Sequence, residues 1–138
     1  MTAAEPRVLL VEDNPDDVEM TLLAFRMDHI PAEFVIARDG AEALDCLFSM
    51  QPAPTLVLLD LKLPRVDGVE VLRRLRADER TRRIPVVVLS SSNEEADVRR
   101  TQELGIARYV RKPVDFLEFR RAARLLADTW LRPAVKQP

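Results

Sequence analysis

Three acids, a hydroxyl and a lysine each follow a short apolar run. Glu12 and Asp13 come after Val8–Val11, Asp60 after Leu56–Leu59, Ser90 after Val86–Leu89, and Lys112 with Pro113 just past Val110. Carboxylates brought to one place repel, and all three stay ionised only beside a compensating cation. A hard divalent ion such as Mg2+ meets that need, because it takes one or two carboxylates, keeps several waters and accepts phosphate oxygens. Asp13 and Asp60 suit direct ligation. Glu12, one bond longer and set back, suits contact through water. Acids at strand ends often only cap helices, which accounts for Asp39 and Asp115. It does not account for Glu12–Asp13, because Asn14–Pro15 already supplies a helix start.

The elements that position these residues follow from periodicity. Val8–Val11, Phe34–Ala37, Leu56–Leu59, Val86–Leu89 and a short piece around Ala107–Val110 read as strands. Between them, apolar residues recur at helical spacing, as in Met20, Leu23, Ala24 and Met27. Asn14 caps the first helix with Pro15 at its first position. Asp39 with Glu42, and Ser92 with Glu95, spell capping boxes. Asp115 and Glu118 open a last helix reaching roughly Leu131. Strands apolar on both faces belong in a parallel sheet covered on each side, so five βα units give an α/β, doubly wound sheet. In such sheets, ligands sit beyond the carboxyl ends of the strands, where the acids, Ser90 and Lys112 stand.

Composition narrows the function. The 138 residues suit one domain, read as a tail 1–6, a domain 7–131 and a polar tail 132–138. A formal net charge of −2 argues against a nucleic-acid-binding chain. No apolar run spans a bilayer and no signal segment precedes Arg7, so a cytoplasmic setting without membrane contact is the expectation. The single cysteine, Cys46, reads as a half-buried helix residue. The single histidine, His29, reads as a helix end before Pro31, which disfavours a zinc site or a Ser-His-Asp triad.

Val11-Glu12-Asp13, Leu59-Asp60 with Pro64 and Asp67-Gly68, Leu89-Ser90-Ser91, and Tyr109-Val110-Arg111-Lys112-Pro113 together resemble the response-regulator receiver family, from about Arg7 to Leu131. The resemblance implies a flavodoxin-like five-stranded sheet in the order 2-1-3-4-5. It implies that Asp60 takes a phosphoryl group from a histidine kinase, with slow self-dephosphorylation rather than enzymatic turnover on other molecules. It also implies that Asp13, Asp60 and the backbone carbonyl of Lys62 hold Mg2+, with Glu12 beside them. Lys112 pairs with the phosphoryl oxygens, Ser90 is the switch hydroxyl and Tyr109 the switch aromatic. The Lys112–Pro113 bond is often cis in the family. Phosphoryl transfer is mostly positioning and charge neutralisation, which a carboxylate, a divalent ion and a lysine supply. Glu12 replaces the aspartate frequent at the first acid, and Lys62 places an ammonium near the acceptor.

Three rival functions are weaker. A Mg2+-dependent phosphatase with an aspartyl nucleophile usually carries a second acid two residues on, where this chain has Lys62. A DNA-binding regulator needs a helix-turn-helix, and only a short tail follows Leu131. A scaffold that no longer takes phosphate is disfavoured by the intact site residues. With no output domain, the signal is expected to leave by protein contact or through a downstream phosphotransfer protein. Glu12-Asp13-Asn14-Pro15-Asp16-Asp17, Leu89-Ser90-Ser91-Ser92 and Trp130-Leu131 resemble single-domain receivers paired with bacterial phytochromes. Apolar residues on more than half of the circumference of the last helix suggest a homodimer through the fourth helix, fifth strand and fifth helix. Arg108, Arg111 and Arg121 would then meet acids such as Glu94, Glu95 or Asp97.

Overall fold

The computed structural model describes residues 5–91 and 94–131. Strands and helices alternate: β1 (Arg7–Val11), α1 (Pro15–Met27), β2 (Glu33–Ala37), α2 (Gly40–Ser49), β3 (Leu56–Leu59), α3 (Gly68–Ala77), β4 (Val86–Ser90), α4 (Glu95–Leu104), β5 (Arg108–Arg111) and α5 (Phe116–Leu126), which ends in a π-helical turn, Ala127–Leu131. All strand pairs are parallel, in the order β2-β1-β3-β4-β5.

The continuous apolar runs have a plain cause. Successive strand residues point to opposite faces, and both faces are covered. Val8, Leu10, Leu56, Leu58, Val87 and Leu89 join one core with Phe25 of α1 and Phe119 of α5. Leu9, Val11, Val57, Leu59 and Val86 join the other, with Leu44 of α2 and Leu72 of α3. The site edge therefore rests on a sheet that cannot tilt without opening a core.

Several helix starts match their signals. Asn14 Oδ1 accepts from the backbone N–H of Asp16 and Asp17, at 2.9 and 3.4 Å. Asp39, Asp67 and Asp115 cap α2, α3 and α5. The Asp39–Glu42 box closes on one side only: Glu42 Oε1 accepts the N–H of Arg38 (3.3 Å) rather than that of Asp39. At α4 the N-cap position is Glu94, whose side chain makes no cap bond, and Ser92 lies outside the described residues. His29 sits just past α1 with φ 54°, its N–H donating to Arg26 O, a helix-end role. The Lys112–Pro113 bond, often cis in the family the chain resembles, is trans here, and Gln51–Pro52 is the cis bond among the described residues. An X–Pro bond prefers trans by only about 0.5–1 kcal/mol, so its surroundings decide.

Two glycines bring the β3–α3 loop against its neighbours. A methyl group at Gly68 would overlap the carbonyl oxygen of Asp60 and come within 2.6 Å of Leu61 Cα. At Gly40 it would overlap the carbonyl of Val66. Only glycine admits such backbone approach.

Candidate functional site

The ladder continues one rung past the strands and sets the acids side by side. Glu12 N–H donates to Ala37 O (2.9 Å), and Asp60 N–H to Val11 O (3.0 Å). Carboxylate oxygens of Glu12, Asp13 and Asp60 consequently lie within 4.8 Å of one another. Glu12 and Asp60 are buried, at 3 % and 6 % exposure, while Asp13 is open to solvent. A buried pair of acids with an exposed third is the donor set a divalent ion needs, with open positions left for water and phosphate oxygens.

Lys112 reaches this cluster from the end of β5. Its ammonium is 2.6 Å from Glu12 Oε1, 2.8 Å from Asp17 Oδ2 and 3.4 Å from Asp60 Oδ2. An ammonium has three donors, and each faces a carboxylate. Burial disfavours the charged lysine, but the hydrogen bonds to Asp17 and Glu12 and the charge of Asp60 outweigh it, and its pKa is raised. Burial pushes Glu12 towards its neutral form as well. The Lys112 hydrogen bond opposes this, the Asp60 charge adds to it, and the carboxyl ends at about 7. Crowded acids thus share the Lys112 ammonium.

Ser90 is the last residue of β4, fully buried, rather than the first beyond it. It pairs in register with Arg111, and its carbonyl accepts the Lys112 N–H at 2.8 Å. Tyr109 lies half-buried on β5 opposite Val88. Lys62 follows Asp60 closely enough for its N–H to donate to Asp60 Oδ1 at 3.4 Å. Its ammonium turns from the cluster towards the first turn of α4, 3.6 Å from the buried Asp97, which Arg100 also pairs at 3.0 Å. A groove of about 380 Å3 runs beside the acids, lined by Asp13, Lys62, Asp67, Asp97 and Arg100 among others. One contact was not evident in the sequence: Asp17, read as a helix-start acid, is a partner of Lys112. The available signal was its place three residues after the cap Asn14, one turn into a helix that begins at the site edge.

Residues 8–124 match the family model of the response regulator receiver domain. The probable methanogenesis regulatory protein FilR2 of Methanothrix harundinacea is 38% identical over 128 residues, 90% of this chain and 83% of that protein. Among solved structures, the phosphorylated cyanobacterial phytochrome response regulator RcpA superposes with a TM-score of 0.87 at 35% identity, covering 96% of this chain and 98% of that one. The Mn2+-bound form of the response regulator Rcp1 gives 0.84 at 34%, with 96% and 99% covered. The bacteriophytochrome response regulator AtBRR gives 0.76 at 44%, with 99% and 100% covered.

Proposed function

The chain belongs to the response regulator receiver domain family, and from that premise we propose that Asp60 accepts a phosphoryl group from a histidine kinase and that the change is read by protein contact. The observation that carries this is the Asp60 carboxylate at the sheet edge, with the oxygens of Glu12 and Asp13 and the Lys112 ammonium around it. An Asp60 oxygen attacks the phosphorus of a phosphohistidine. The O–P bond forms as the N–P bond breaks, and the imidazole leaves with the electron pair. Lys112 gives a donor to the transferred group. Mg2+, held by Asp13, Asp60 and the Lys62 carbonyl with Glu12 alongside, supplies positive charge to the phosphoryl oxygens when bound. The Mn2+-bound form of Rcp1 supports a divalent ion in this role. Water later breaks the acyl phosphate, and the chain returns to its starting state without acting on another substrate.

The likeness to RcpA and AtBRR supports a kinase of the phytochrome type. Phosphotransfer profiling tests both steps. Radiolabelled histidine kinases are each mixed with the chain and Mg2+, and label is expected to move to Asp60 fastest from a phytochrome kinase. A faster non-phytochrome donor would exclude that partner, and absence of transfer from every kinase would exclude the function.

The phosphoryl group brings about −1.5 to −2 charge to one point. Ser90 would bond a phosphoryl oxygen and Tyr109 would repack, shifting the population towards a second arrangement of α4, β5 and α5. We propose that a homodimer forms through that face, supported by Leu125 of α5, which is 46 % exposed. In sedimentation at micromolar concentration, phosphorylation is expected to raise the dimer fraction of the native chain. Ser90→Ala should take the label without that rise. A monomer in both states would end the dimer, and an intact response in Ser90→Ala would remove Ser90 as the coupling residue.

A further inference from the structure

Four carboxylates and one ammonium make up the neighbourhood of Asp60, and one of the four is not accounted for by phosphoryl transfer. Asp17 does not belong to the group of acids whose oxygens converge, yet it makes the second-shortest contact to Lys112, 2.8 Å against 3.4 Å for Asp60. Its place is set locally. The Asn14 cap receives its N–H, Pro15 fixes the first turn, and its own carbonyl accepts from Thr21 Oγ1 at 2.8 Å. The carboxylate is partly shielded, with 27 % of the side chain exposed, whereas Asp16 beside it points to solvent.

Resting on the phosphoacceptor reading, we infer that Asp17 is a positioning residue that draws Lys112 towards α1 and keeps it from closing on Asp60. An ammonium with three donors divides itself among the acids that face it. Without Asp17, the third donor is free, and the nearest remaining acceptors are Glu12 and Asp60. Lys112 would then neutralise the oxygens that a divalent ion requires. Once Asp60 carries a phosphoryl group the same competition has the opposite consequence. Asp17 pulls the ammonium from the phosphoryl oxygens, and its loss tightens that pairing and protects the acyl phosphate from water.

The variant Asp17→Asn keeps shape and removes charge. Its Mn2+ dissociation constant, from a relaxation titration on the intact chain, should rise about fivefold. That is the order expected when an ammonium moves a few ångströms closer to a divalent ion in a mostly aqueous dielectric. The lifetime of its acyl phosphate, formed with acetyl phosphate and then freed of donor, should lengthen severalfold. Asp17→Glu should restore both values towards the native ones. Asp16→Asn, which changes net charge equally, should alter neither. A structural disturbance would weaken metal binding and shorten the lifetime together. Native values for Asp17→Asn, weaker metal binding together with a shorter lifetime, or the same effects from Asp16→Asn would each overturn the assignment. If the native chain itself fails to take label, the phosphoacceptor reading falls first and this inference with it.

Discussion

Asp60→Asn is expected to take no phosphoryl group from acetyl phosphate or a kinase, with labelling falling to background. The amide is nearly isosteric, so the loss does not come from disturbed packing. The nucleophilic oxygen and one of the metal-binding charges disappear together. Folding should survive, because Asp60 is a buried acid next to the buried Glu12, and removing it relieves repulsion while Lys112 keeps Glu12 and Asp17. Thermal melting at or above the native temperature, beside absent label, is the expected pair of results. Label persisting in this variant would mean that Asp13 or another carboxylate is the acceptor.

The second large effect is expected at Asp13. Asp13→Ala should reduce Mg2+-dependent labelling by about a hundredfold or more, since a charged direct ligand of a hard cation is lost. Asp13 is a cleaner probe than Glu12. It is exposed, and the start of α1 depends on Asn14 and Pro15 rather than on it. Glu12 is buried, pairs with Lys112 and accepts the Asn14 N–H at 3.2 Å, so its removal would leave a half-buried ammonium short of a partner. Native labelling of Asp13→Ala at limiting Mg2+ would sink the metal assignment.

Much of this architecture is written locally in the chain. Val8–Val11, Leu56–Leu59 and Val86–Leu89 are apolar without alternation because both sheet faces are covered, and Asn14, Asp39, Asp67 and Asp115 cap the helices they precede. Glu12, Asp13, Asp60 and Lys112 could be placed at one edge because strand ends in a parallel sheet share an edge. What could not be read locally depends on how elements lie across one another. Strand order came from the resemblance. The Asp17–Lys112 contact joins residues 95 positions apart and requires α1 to flank the end of β5. The same holds for the turn of Lys62 towards Asp97 on α4. Ser90 is displaced by a single residue: its partner in β5 extends the ladder one step, and burial takes a hydroxyl that sequence alone leaves at the strand's end.

The close approach of Gly68 to the Asp60 carbonyl, with that of Gly40 to Val66, has a mechanical side. Where backbone rests on backbone there is no side chain to yield, so the loop that carries Asp60 is the stiff part of the rim. The opposite part is compliant. Among the described residues, helix α4 buries only Asp97 and Thr101, both polar, and its N-cap residue Glu94 makes no side-chain cap bond. A disturbance applied at Asp60 therefore meets an anvil on one side and a spring on the other, and displacement goes to the spring. The direction in which a signal leaves the site would then be set by this difference in stiffness, before any particular bond to the phosphoryl group is considered.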